Sequence, residues 1–456
     1  MEQTIKKTNK KKCQKYSKNV KFRICYKRIY KLCNRCYNNI SVGKDEIFRL
    51  FLFNLLHHMG IYLNITQLKT IKQQKGAFEM KVVVVIDSLK GSLSSIEAGE
   101  AAKAGILCAN PNATVVVKPL ADGGEGTTEA LVSGLNGTLQ TLEVTGPIQT
   151  KVTAQYGMVK ETAIIEMAQA AGLPLVPAEL RNPLVTTTYG VGEMIKNCVK
   201  AGCKKFIIGI GGSATNDAGL GMLMALGFKF LDENGNDVMQ GGRGLIQVAS
   251  IDESHILPEL ASCEFKIACD VNNPLYGEEG AAYIYGPQKG ATPEIVKELD
   301  AGLQHFANIV AQHKGEDFAN KPGAGAAGGL GFAFTAFLGG KLESGVKIIL
   351  DETKLEEELK DADIVMTGEG RLDHQTSMGK APIGVAQMAK KHKCKVIGVA
   401  GATTREAVAC NEAGIDAYFS IVNSAMSLEE AMKPEIAYEN MKQTTQQIFN
   451  LIQAIQ

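Results

Sequence analysis

The sequence predicts a two-domain α/β protein: a parallel α/β domain formed by both ends of the core chain, with a mixed α/β domain inserted between them. Three observations predict it. KVVVVI (81–86) and TVVVK (114–118) are continuous apolar, β-branched runs separated by a helix-length segment, as buried parallel strands are. The same rhythm returns after about residue 345. Between these ends, 138–145 and 151–159 alternate apolar and polar residues, as antiparallel strands with one wet face do.

The elements follow in order. DSLKGS (87–92) is the loop after the first strand. Ser94 with Glu97 makes a capping box that opens an alanine-rich helix to about Cys108. The second strand leads into the loop PLADGGEGT, and this β-loop-α-β order demands a right-handed crossover and a parallel sheet. In the middle, a helix near 188–201 precedes the strands KKFIIGI (204–210) and EFKIACD (264–270). The returning half reads DIVMT (363–367), a helix near 380–391, KVIGVAG (395–401), a helix at 404–413 and AYFSI (417–421). A long helix from about Pro434 closes the chain. The domains then comprise 80–137 plus 345–456, and 138–344. A cleft between two such domains is the usual place for a small-molecule site.

The net charge of +1 averages two unlike parts. Residues 1–79 carry 18 basic against 4 acidic side chains, a net of +14, and only 3 of the 48 glycines. Residues 80–456 carry 31 basic against 44 acidic, a net of −13. That contrast sets 1–79 apart as a basic extension, disordered or outside the working protein. Its Cys33 and Cys36 form a lone CxxC without suitably spaced histidines, which is poor evidence for zinc. Its apolar stretch 47–65 is broken by Arg49, Asn54, His57, His58 and Asn64, which suits no bilayer span. The acidic remainder argues against nucleic acid as a partner, and its seven scattered cysteines read as reduced cytoplasmic thiols. With 45% hydrophobic and 21% charged residues, a collagen-like or disordered chain is excluded.

The loops carry the chemistry. GIGGSATND (209–217) follows a strand and is expected to open a helix. Gly211, Gly212, Ser213, Thr215 and Asn216 would then offer N–H groups and hydroxyls to an anion where the helix dipole favours one. Gly209, Gly211 and Ala214 also satisfy the dinucleotide fingerprint, with Asp232 18 residues further on. An NAD(P)-dependent dehydrogenase is therefore the alternative reading, disfavoured because that fingerprint belongs in the first βαβ unit. Asp122 and Glu125 sit on a glycine-rich turn at a strand's carboxyl end, placed for Mg2+ or a hydroxyl-bearing substrate. TGEGRLDHQT (367–376) supplies Glu369, Arg371 and Asp373 at the equivalent place. DSLKGS contributes Asp87 and Lys90, and CDVNNPL (269–275) contributes Asp270. PGAGAAGGLG (322–331), with Gly325 and Gly328, is a second candidate phosphate cradle. No P-loop, protein-kinase signature or HExxH occurs.

Nine motifs, in order, make the stretch from Met80 onward resemble the bacterial glycerate kinase family: DSLKGSLS, PLADGGEGT, MAQAAGLPLV, TTTYGVGEMI, GIGGSATNDAGLGML, CDVNNPL, GPQKGA, PGAGAAGGLG and TGEGRLDHQT. Nothing in 1–79 shares the resemblance. It implies a flavodoxin-like domain beside a second α/β domain, and ATP-dependent phosphorylation of D-glycerate in the cytoplasm. The implied product is usually 2-phosphoglycerate, with 3-phosphoglycerate also assigned. Phosphoryl transfer needs alignment, a metal and positive charge. Lys90 and Arg371 can neutralise phosphate or the glycerate carboxylate. Asp122, Glu125 and Glu369, with Asp373, can hold Mg2+. Asp217 or Asp373 can accept the hydroxyl proton. The expected partners are these small molecules, with neither nucleic acid nor membrane.

Overall fold

The computed structural model of the protein describes residues 80–455. The expectations for the basic extension 1–79 fall outside the described residues.

The chain begins with β1 (Lys81–Ile86), α1 (Ser95–Ala109) and β2 (Thr114–Pro119). The expected capping box starts α1: Glu97 N–H donates to Ser94 Oγ at 3.3 Å, and Ser94 N–H donates to Glu97 Oε2 at 2.9 Å. α2 (Thr127–Gly134) then leads into the inserted domain.

The inserted sheet holds β3 (Thr138–Thr145), β4 (Lys151–Val159), β5 (Thr162–Glu166), β6 (Lys205–Gly209), β9 (Glu264–Ala268) and β10 (Lys341–Glu343). Its order is β10-β9-β6-β5-β4-β3. The β3–β4 and β4–β5 pairs are antiparallel and the rest parallel, so the sheet is mixed. Short β7 (Lys229–Leu231) and β8 (Ser250–Asp252) pair separately. The helices of this domain include α3 (Tyr189–Lys200), α4 (Leu220–Ala225), α5 (Pro293–Lys314) and α6 (Ala326–Leu338). α5 is capped by Thr292 and buries the stripe Val296, Leu299, Leu303, Phe306 and Val310. Its Phe306 ring meets Phe230 at 5.5 Å and Phe332 at 6.0 Å.

After α7 (Gly345–Glu352) the chain returns to the first domain with β11 (Ile364–Leu372), α8 (Ala381–Lys391), β12 (Lys395–Thr403), β13 (Ala417–Ser420) and α9 (Pro434–Ile455). The first sheet is wholly parallel, in the order β2-β1-β11-β12-β13. This is the flavodoxin-like order, with the inserted domain between the second and third strands of the sheet. The alternation of β1 explains its continuous apolar run. Val82, Val84 and Ile86 pack with α1 and α9 residues such as Ile106 and Phe449 on one face. Val83 and Val85 pack with α8 residues such as Ile383 and Ala386 on the other.

Two boundaries differ from expectation. β11 runs to Leu372, so Glu369 and Arg371 lie on a strand extension paired with Ala400 and Ala402 of β12, where a loop was expected. The segment 404–413 forms a 3-10 turn and a four-residue helix, which Gly414 ends, and no continuous helix forms. The domains meet where the chain crosses between them. A Cβ on Gly345 would stand 2.2 Å from the carbonyl oxygen of Asp122, so backbone touches backbone beside that carboxylate.

Candidate active site

β1 leads to a helix on one face of the parallel sheet and β11 to a helix on the other. Their carboxyl ends therefore form a topological switch point, where open parallel sheets bind ligands. A cavity of about 700 Å³ opens there, lined by Asp87, Lys90, Glu369, Arg371, Asp373 and Lys380. Its far wall is more apolar, with Ile421, Val422, Leu428 and Met432. A second cavity, about 350 Å³, lies on the inserted domain's side, lined by Gly211, Gly212, Ser213, Asp270 and Lys289. Asp122 is in the wall of both.

Charge is concentrated in the larger cavity. Asp87 is anchored at the end of β1, its N–H donating to the Gly368 carbonyl at 2.8 Å. Burial, reinforced by the negative charge of Asp122, pushes its carboxyl up to about 7. Burial likewise raises Glu369 above the usual carboxylate range. Lys90 Nζ stands 3.3 Å from Asp122 Oδ2. Burial works to lower the Lys90 pKa, but the charges of Asp122 and Asp87 outweigh it and hold the ammonium above its ordinary value. Arg371 grips Asp373, with Nε and Nη2 at 3.1 and 3.0 Å from Oδ2. Asp373 also accepts from the Thr376 N–H at 3.2 Å. Partial burial would raise the Asp373 carboxyl, but these donors hold it below the usual range.

The smaller cavity is built on GIGGS. Ser213 is bridged to Gly172, and the Leu173 N–H donates to the Gly212 carbonyl at 2.8 Å. Lys289 Nζ donates to Ser213 Oγ at 2.8 Å and to the Thr215 carbonyl at 2.6 Å. Asp270 Oδ1 accepts from the Gly345 N–H at 3.2 Å.

Several expected site residues lie elsewhere. Asp217 has no exposed surface and lines neither cavity. Its Oδ2 accepts from Thr188 N–H and Oγ1 at 2.9 Å each and from Gly221 N–H at 3.3 Å; its Oδ1 accepts from Gly219 N–H at 3.2 Å. It ties the start of α3 to the start of α4. The loop does not open straight onto a helix: α4 is six residues long and begins only after Gly219, at φ +71°. Thr215 and Asn216 are also fully buried and face neither cavity. Glu125 is exposed and outside both.

Gly325 and Gly328 make close packing contacts and line neither cavity. A Cβ on Gly325 would meet the Pro274 carbonyl oxygen at 2.1 Å. Gly328 has φ +69°, and a Cβ there would stand 2.0 Å from the Thr215 carbonyl oxygen. Their neighbours Ala326 and Ala327 line the smaller cavity instead. Gly328→Ala is expected to cost about 2–4 kcal/mol, combining left-handed strain with overpacking against the loop, measurable by urea unfolding. Among the described residues no three His, Cys, Asp or Glu side chains gather as a metal cluster. The dinucleotide reading also loses its partner. Asp232 closes its own turn, accepting from Asn234 and Asn236 N–H at 2.8 and 2.9 Å.

The glycerate kinase family model matches residues 82–453. This chain belongs to the glycerate kinase family. It is 48% identical to the glycerate kinase of Halalkalibacterium halodurans over 77% of this chain and 93% of that one. It is 47% identical to the glycerate 2-kinase of Escherichia coli, over 81% and 97% of the two chains. A crystal structure from Salmonella typhimurium LT2, of a protein assigned as glycerate kinase 2, superposes with a TM-score of 0.77 at 46% identity. It covers 82% of this chain and 98% of its own. The chain is accordingly a kinase, and the dehydrogenase alternative has no support. Two basic lining residues of this family member went unpredicted from sequence, Lys289 and Lys380. GPQKGA and the dipeptide Gly379-Lys380 were their signals.

Proposed function

We propose that this chain transfers the γ-phosphoryl group of ATP to the C2 hydroxyl of D-glycerate, forming 2-phosphoglycerate and ADP. The observation that carries this reading is the position of Asp122, which walls both cavities. The larger cavity has the volume, the apolar wall and the cations that a nucleotide needs. The smaller suits a three-carbon acid. The hydroxyl oxygen would attack the γ-phosphorus while the bond to the β,γ-bridging oxygen breaks, and its proton would pass to a carboxylate or to water. Such loose transition states ask mainly for alignment and charge neutralisation.

Mg2+ fits the acidic rim. The carboxylates of Asp87, Asp122 and Glu369 repel one another enough that Asp122 and Glu369 both add to the upward shift at Asp87. Mg2+ takes one or two carboxylates, waters and phosphate oxygens, so a complete protein cage is not required. When bound, the ion would neutralise charge on the transferring group. Asp122 and Glu369 are its proposed holders. All seven described cysteines are free thiols, which supports a cytoplasmic setting, and no described helix is long and apolar enough to cross a membrane.

The reading requires ADP release that depends on both ATP and D-glycerate; NAD(P)-linked turnover without phosphate transfer would overturn it. Lys90→Ala and Arg371→Ala should each lower kcat/KM by about 10–100-fold. Both ion pairs are largely solvent-exposed on the cation's side, so melting temperatures should barely move. Near-wild-type turnover in both variants would remove the phosphate assignment.

A further inference from the structure

We infer that Lys289 is the residue that reads the carboxylate of the substrate, making the smaller cavity selective for short hydroxy acids over uncharged polyols. The inference rests on the proposed kinase reading and extends it to the acceptor's chemical class. Lys289 is only 2% exposed yet lines the cavity. Its Nζ donates to two neutral acceptors, Ser213 Oγ and the Thr215 carbonyl. Among the described residues it forms no ion pair, and the charge that acts on it is that of Asp217, from beyond ion-pair distance.

An ammonium carries three donors, and here two are used. A buried cation without a counter-ion is costly, and an anion entering the cavity would complete it. Burial, only partly opposed by the charge of Asp217, pulls the Lys289 pKa down to about 7, in keeping with that missing partner. The cavity's other charged linings are Asp122 and Asp270. They can accept from hydroxyl groups but repel a carboxylate. The cavity is thus polarised, with one cation for the acid group and two acceptors for the diol. A glycerate held by its carboxylate at Lys289 would turn its hydroxyls toward Asp122, the wall shared with the larger cavity.

The test compares D-glycerate with glycerol as phosphoryl acceptors, using the full chain and its Lys289→Met variant. The variant should raise the KM for D-glycerate at least 100-fold. Its KM for ATP should change less than about threefold, and its preference for D-glycerate over glycerol, taken as a ratio of kcat/KM, should fall with the loss on D-glycerate. Methionine removes a buried charge but also the donor to Ser213 Oγ and the Thr215 carbonyl, so a thermal melt of the variant accompanies the kinetics. An unchanged KM for D-glycerate, or equal losses on both acceptors, would overturn the inference. Thermal protection by millimolar D-glycerate without nucleotide is the second measurement, independent of turnover. Protection of the wild type that Lys289→Met lacks supports the role of Lys289 even if no phosphate moves. Equal protection of both proteins, or protection of neither, overturns it. Absent turnover in a protected wild type would count against the kinase reading alone.

Discussion

Asp122→Asn should lower turnover by about two to three orders of magnitude without unfolding the protein. The carboxylate faces both cavities, pairs with Lys90 at 3.3 Å, and accepts from the Gly124 N–H at 2.9 Å. Asparagine has the same shape and can still accept from Gly124, so the turn survives. What it loses is negative charge at the place where the acceptor hydroxyl, the phosphoryl group and Mg2+ are proposed to meet. Lys90 would lose its partner and drift. The check is kcat measured beside a thermal melt. A variant that keeps turnover within threefold of wild type would show that Asp122 merely divides the two cavities.

Asp217→Ala should have the opposite signature, a large loss of stability. Four donors converge on this carboxylate with no exposed surface: Thr188 N–H, Thr188 Oγ1, Gly219 N–H and Gly221 N–H. Alanine would strand all four in the interior, at a cost on the order of 3–5 kcal/mol. Urea unfolding measures it directly. Asp217→Asn should also be less stable than wild type, since its NH2 group would face donors. If Asp217→Asn instead melts normally while losing about a hundredfold in turnover, the residue is catalytic after all.

This pair shows what the sequence could and could not convey. Parallel pairing and the interruption by a mixed sheet were legible because β1 and β2 are uninterrupted β-branched runs, and because the βα rhythm stops and resumes. β5 escaped because TAIIE is short and follows a two-residue turn directly. α5 escaped although its cap at Thr292, its Pro293 and its apolar stripe were all present. Within GIGGSATND, polarity correctly marked a special loop. It could not separate Ser213, which faces the cavity, from Thr215, Asn216 and Asp217, which face inward. That division depends on how 322–331 and α3 pack against the loop, which is tertiary information. Lys289 is the converse case. A lysine in GPQKGA reads as solvated, and only its packing against Ser213 and Thr215 buries it. Glu369 and Arg371 were found by their chemistry, but their rigidity comes from pairing with β12.

The most direct test of the central claim is proton-coupled phosphorus NMR of the product made by the full chain from ATP, Mg2+ and D-glycerate. Phosphate on C2 couples to one methine proton and gives a doublet, whereas phosphate on C3 couples to two methylene protons and gives a triplet. The proposed reaction predicts a new doublet growing in step with ADP, absent when D-glycerate or ATP is withheld. A triplet would contradict the assigned position of transfer, and the absence of any glycerate-dependent phosphoester would contradict the assigned reaction.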